Sequence, residues 1–182
     1  MAKFWLPFIL LLLLCKSTFA QYPNSYAIGS SAQIYPSGLI VNGHFGFNIS
    51  RQDMIYLFGG YNFVDRQDYG EHDKESGTGY GFGLSWRHYR YPYKSGLSLG
   101  GRLQVWIMSL DWENSEPQST GVTDLVVLQP TLQLAYSYLF AGEYFSLDAL
   151  IAAGGDINLQ TKGDKIGQNI ILLIGVAISF QF

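Results

Sequence analysis

The chain has 182 residues, with 21 glycines, 13 tyrosines and 12 phenylalanines, a charged fraction of 14% and a mean hydropathy of +0.09. That length holds one domain; the charged fraction is well under the roughly 25% of an ordinary soluble domain, yet the hydropathy is too low for a bundle of membrane helices. A formal net charge of −3 without a basic cluster excludes a nucleic-acid footprint.

Residues 1–20 read as an export leader. Lys3 precedes an apolar run over 4–14, and Ser17, Thr18, Phe19 and Ala20 supply a small-residue cleavage pattern before Gln21. The run is shorter than the roughly 20 residues a spanning helix needs. A cleaved signal peptide (1–20) is therefore expected, followed by a single domain, 21–182. Cys15, the only cysteine, lies in the leader, and Leu14 stands where a lipidated cysteine normally follows a small residue. Without Lys3 and Lys16 the mature chain carries nine basic against fourteen acidic side chains.

Beyond Gln21 apolar residues recur with period two, the mark of a strand with two unlike faces. Residues 25–35 set Ile28, Ala32 and Ile34 against Gly29, Ser31 and Gln33. Residues 39–49 set Val41, Phe45, Phe47 and Ile49 against Asn42, His44, Gly46 and Asn48, and 54–66 set Ile55, Leu57, Tyr61 and Phe63 against Gly60, Asn62 and Arg66. Over 78–91, Tyr80, Phe82, Leu84 and Trp86 oppose Gly79, Gly81, Gly83, Ser85 and Arg87. Over 97–112, Leu97, Leu99, Leu103, Val105 and Ile107 oppose Ser98, Gly100, Arg102 and Gln104. Residues 126–140 alternate Leu128, Leu132, Leu134, Tyr136 and Tyr138 with Gln129, Thr131, Gln133, Ala135 and Ser137, and Pro130 there predicts a bulge because it cannot donate to a ladder. Residues 145–160 alternate Phe145, Leu147, Ala149 and Ile151 with Ser146, Asp148 and Ala152. Finally, 169–182 alternate Ile170, Leu172, Ile174, Val176, Ile178, Phe180 and Phe182 with Asn169, Gly175, Ala177, Ser179 and Gln181. Eight strands are predicted.

Tight turns are expected at 36–38, 51–53, 92–95 and 141–143, and longer polar loops at 67–77, 113–124 and 161–168. Short turns on one side and long loops on the other are the asymmetry of an outer-membrane barrel, and an even strand count puts both termini on the periplasmic side. Charge placement separates this from a water-soluble barrel. Residues 25–49, 125–140 and 169–182 contain no Asp, Glu, Lys or Arg, and the ionised strand residues Arg87, Arg102, Asp148 and Asp156 fall on the face of Gly and Ser. A polar lumen and an apolar exterior follow. Closure is required as well, since an unpaired backbone group in hydrocarbon costs several kcal/mol. Tyr26, Tyr35, Tyr89, Tyr91, Tyr93, Trp112, Tyr138, Phe140 and Tyr144 lie near strand ends, where interfacial aromatic girdles are expected.

This architecture, ending in Ile178, Ser179, Phe180, Gln181 and Phe182, resembles the small eight-stranded outer-membrane barrels of the OmpA, OmpX and OmpW kind. The resemblance implies an all-β, eight-stranded antiparallel up-and-down transmembrane β-barrel in the outer membrane. It also implies that Phe180 and Phe182 are read by the outer-membrane assembly machinery. A monomer is expected.

An eight-stranded barrel is just wide enough for side chains to fill. His44, Arg87, Arg102, Gln104, Gln133 and Asp148 are expected to meet there as a hydrogen-bonded plug; the alternative is a narrow porin-like path for small or apolar solutes. Asp68, Glu71, Asp73, Glu75, Glu113 and Glu116 are expected on outer loops, as solvated surface or as an acidic rim facing lipopolysaccharide through divalent cations or facing a surface partner. His44, His72 and His88 show no partnership with a serine at the outer rim, so a lipid A-modifying enzyme ranks third. No metal-ligand spacing stands out and no cofactor is expected. The function expected is a structural or surface-interaction role in the outer membrane.

Overall fold

A computed structural model describes residues 26–67, 71–92, 94–141, 144–167 and 170–182. The leader with its cleavage site, Cys15, Asp68, Tyr93 and Asn169 lie outside the described residues. The described chain is all-β: β1 (Tyr26–Tyr35), β2 (Gly38–Asn48), β3 (Asp53–Gln67), β4 (Lys74–Tyr89), β5 (Gly96–Asn114), β6 (Ser119–Phe140), β7 (Phe145–Gly155), β8 (Ile157–Lys162) and β9 (Ile170–Gln181). Neighbours in sequence pair antiparallel from β1 to β6. β6 then pairs with β7 and, further along, with β8, so these two are halves of one stave parted at Asp156. β9 pairs with β7 on one side and with β1 on the other, from Ala27↔Gln181 to Ile34↔Ile174, and closes the ring. The nine assigned strands thus make the eight staves that the period-two segments predict.

Two expectations about connections are corrected. β4 begins at Lys74 and β6 at Ser119, so part of the loop expected at 67–77 and most of that expected at 113–124 is strand. These segments are polar on both faces and carry no period-two signal, yet they pair with one another through Gln67↔Lys74, Lys74↔Glu113 and Asn114↔Ser119. β3 to β6 therefore rise as a tall wall, while β1 and β2 meet at the low turn between Tyr35 and Gly38. The bulge expected at Pro130 is not in β6. Leu103↔Pro130 keeps the β5 register, while on the other side the pairing passes from Thr131↔Gly154 to Leu128↔Ile157, and the register slips further on, where Val126↔Gln160 follows Val127↔Asn158. The proline has no N–H to give; beside it the pairing of the facing stave is interrupted at Asp156 with the register kept, and the one-residue slip comes further on, at Leu159.

The two faces separate as charge placement predicts. On β9, Ile170, Leu172, Ile174, Val176, Ile178 and Phe180 are exposed, and so is Phe182 just beyond it, while Ile171, Leu173, Ala177, Ser179 and Gln181 are buried. The same holds around the ring, with Ile28, Leu39, Leu57, Tyr80, Leu99, Leu132 and Leu147 all outward. An apolar belt of this girth far exceeds the few hundred Å² that a soluble monomer exposes.

Inside, small residues of one stave receive large residues of the next. Gly79, Gly81 and Gly83 of β4 stand opposite Met108, Trp106 and Gln104 of β5. A Cβ on Gly83 would come within 2.6 Å of Gln104 Cγ, and one on Gly81 would overlap the Trp106 ring. The glycine run is there for space, which lets Trp106 be wholly buried.

Candidate functional site

The interior has three layers. Nearest the short turns and the first and last described residues lie Ala27, Met54, Tyr56, Phe58 and Tyr89, with the Tyr56 and Tyr89 hydroxyls hydrogen-bonded at 2.7 Å. Lys94, in the turn between β4 and β5, is buried and its Nζ donates to Gln181 Oε1 at 3.4 Å. Burial pushes the Lys94 ammonium down to about 8.

The middle layer is polar and contains all six predicted lumen residues, each buried. Arg87 on β4 reaches across to Asp148 on β7, Nη1 to Oδ2 at 2.6 Å, and its guanidinium lies 5.0 Å from the centre of the Tyr56 ring. Arg102 on β5 donates from Nη1 to Gln33 Oε1 on β1 at 2.9 Å and lies 4.4 Å from the centre of the Phe58 ring. Gln133 donates to Ser85 Oγ at 2.6 Å, Gln104 to Asn42 Oδ1 at 3.4 Å, and His44 Nε2 shares a hydrogen bond with Ser179 Oγ at 2.9 Å. The space left among His44, Tyr56, Phe58, Arg87, Arg102 and Asp148 is too small for a water-sized sphere. Gln33, Asn42, Ser85 and Ser179 complete this layer; their place on the inward face is readable from period two, but their partners depend on how the ring closes.

The third layer departs from the expectation of a polar lumen. Toward the tall wall the interior is apolar: Ile40, Trp106, Met108, Leu125, Val127, Ala152, Ile171 and Leu173 form a core, and Ile166 from the loop after β8 packs into it. Three aromatics assigned to girdles also point inward. Tyr89 and Trp112 are buried, and Tyr35, packed against this core, donates its hydroxyl to Asn62 Oδ1 at 2.6 Å. A girdle does form at the short-turn end, where Phe45, Tyr26, Phe182, Phe180 and Phe145 make a chain of ring contacts with centroids 5.2–6.0 Å apart. Phe180 and Phe182 belong to it.

At the top of the tall wall, Glu71, Asp73, Glu113 and Glu116 are exposed, but Glu75 is not a loop acid. It points inward from β4, wholly buried, and pairs with Arg66, whose Nε donates to Oε2 at 2.6 Å, while Oε1 accepts from the backbone N–H groups of Glu71 and His72. His72 stacks on Trp112 at 4.1 Å. Asp73 Oδ2 accepts from Ser115 N at 2.6 Å, and that bond, first of its causes, holds the Asp73 carboxyl below the usual range. The two tall connections are thereby tied to each other.

Among solved structures, a major outer membrane protein from Thermus thermophilus superposes with a TM-score of 0.56 at 13% identity, covering 86% of this chain and 98% of that one. Neisserial surface protein A (NspA) superposes at 0.53, also with 13% identity, covering 86% and 96%. The chain has the fold of a small outer-membrane β-barrel. No protein-family model matches the barrel's sequence, and no curated protein matches it. At such identities the likeness establishes the barrel alone. Its stave count places the lumen among those that side chains can fill, in keeping with the crossing bonds of the middle layer. Among the described residues no group of three or more His, Cys, Asp or Glu is arranged to hold a metal.

Proposed function

We propose that this chain is an integral outer-membrane protein with a structural or surface-interaction role, its lumen closed by the Arg87–Asp148 belt, and that it is neither a pore nor an enzyme. The bonds that cross the lumen in the middle layer support the closed lumen most strongly, because the space left among His44, Tyr56, Phe58, Arg87, Arg102 and Asp148 does not admit a water-sized sphere. The first and last described residues lie together at the short-turn end, where Tyr26 and Phe182 exchange backbone hydrogen bonds of 2.9 and 3.0 Å. Taking residues 1–20 as the expected export leader, we place this end in the periplasm and the tall wall outside.

In that orientation, Glu71, Asp73, Glu113 and Glu116 face the exterior beside lipopolysaccharide, and Phe180 and Phe182 present the terminal strand to the assembly machinery. Planar-bilayer recording on the refolded barrel tests the closed lumen. No steady current is expected; a stable unitary conductance overturns the proposal and favours the narrow-channel alternative.

A further inference from the structure

The apolar third layer encloses a cavity of about 120 Å³ that the polar plug does not use. Trp106, Met108, Leu125, Val127, Ile166 and Ile171 supply its apolar lining. Asn62, Gln129, Asp156 and Asn158 supply its polar side. Asp156 sits where the stave parts between β7 and β8, accepts a hydrogen bond from Gln129 Nε2 at 2.9 Å, and joins no ion pair among the described residues. The cation that shares the lining, Arg66, is engaged by Glu75.

The cavity has an opening at the low side of the barrel. Pairing between β1 and β9 stops at Ile34↔Ile174, while β9 continues to Ile170 on β7 alone. Tyr35, Pro36 and Ser37 line one lip, and Ile170 and Leu172 the other. Ile166 stands inside, its carbonyl held by Asn158 Nδ2 at 2.9 Å.

We propose that this cavity binds a short hydrocarbon-tailed molecule with a hydrogen-bond-donating head, an alkyl amine or alcohol, its tail against Trp106 and Val127 and its head on the Asp156 carboxylate. The volume suits it, since an apolar cavity of about 150 Å³ takes up benzene. The head chemistry follows from the lining. An ionised carboxylate only accepts hydrogen bonds, and a half-buried one outside any ion pair gains from a donor brought to it. A carboxylate-headed ligand meets like charge at the same place. This inference goes beyond the proposed surface role and stands independently of it.

The test is an NMR titration of the full refolded barrel in phospholipid nanodiscs with pentylamine, pentanol and pentanoate. It is read on the methyl groups of Leu125, Ile166 and Ile171 and on the side-chain amides of Gln129 and Asn158. Saturable shifts are expected for amine and alcohol, with pentanoate weaker by about tenfold or more. Asp156→Asn, nearly isosteric, should weaken the amine by about tenfold and leave the alcohol within about threefold. Val127→Phe should fill the cavity and abolish both. If that variant does not refold, the Asp156→Asn comparison decides alone. Absence of saturation, equal response to pentanoate, an unchanged amine affinity in Asp156→Asn, or shifts shared with the outward methyls of Ile174, which mean partition into lipid, would each overturn the proposal.

Discussion

His44 and Ser179 hydrogen-bond at 2.9 Å across a strand to which neither belongs. His44 is on β2 and Ser179 on β9; the residue of β1 in register with both is Gly29. A Cβ there would come within 2.7 Å of His44 Nε2 and 2.8 Å of Ser179 Cα. The missing side chain lets two staves clasp over the one that closes the ring.

Gly29→Val should therefore cost more than His44→Ala. Overpacking against backbone costs about 1–3 kcal/mol, whereas loss of one hydrogen bond costs about 1 kcal/mol. Urea unfolding of the barrel refolded in lipid vesicles gives both values. Equal effects would mean that β1 can move aside to admit the side chain.

The Arg87–Asp148 pair should behave as a buried ion pair. Asp148→Leu alone leaves a guanidinium without its counter-charge and should cost about 3–5 kcal/mol, while the double replacement Arg87→Met with Asp148→Leu should be near neutral or stabilising. A double-mutant cycle by the same unfolding assay checks this; additive single costs would show the pair to be solvated.

Gly81 and Trp106 should couple strongly. Gly81→Val forces the indole out of its place and should cost about 1–3 kcal/mol, and adding Trp106→Ala, itself costly, should recover part of the Gly81→Val loss. The signature is a negative interaction energy between the two sites. Failure of the second change to offset the first would locate the strain in the β4 backbone.

Lys94 predicts a pH slope of definite sign. Its ammonium titrates near 8 when folded and near 10.5 when unfolded, because burial disfavours the charge. Between those values the unfolded chain binds more protons, so stability rises with pH across that window, by up to about 3 kcal/mol. Below pH 8 the cost of burying the charge is constant. Lys94→Met should flatten the slope, measured as the wild-type minus variant difference in unfolding free energy from pH 7 to 11. An unchanged slope would assign the effect to other groups.

Much of the barrel is legible in the sequence because its two faces differ. Over 170–182 every even residue is apolar and outward, and from 177 the odd ones are Ala, Ser and Gln. Where both faces share one character, period two vanishes. The runs Leu125–Val126–Val127–Leu128 and Ile170–Ile171–Leu172–Leu173 hide inward-facing apolar residues, so the third layer leaves no trace in the pattern. The polar tops of β4 and β6 read as loop for the mirrored reason, and Glu75 is misplaced with them. His44, Arg87, Arg102, Gln104, Gln133 and Asp148 are all buried, but the partnership of Arg87 with Asp148 is made only by closure of the ring, which no local pattern encodes.

The most direct test of the central claim, that apolar side chains on the outside of a closed barrel meet lipid, uses the absence of cysteine from residues 21–182. Single cysteines placed in turn at positions 170 to 180 of β9 and spin-labelled in bilayers report collision with oxygen and with a water-soluble nickel complex. At the outward positions of Leu172, Ile174, Val176 and Ile178, high oxygen and low nickel accessibility is predicted, with the extreme near Val176. High nickel accessibility at Ile174 and Val176 would place that face in water and contradict the membrane barrel.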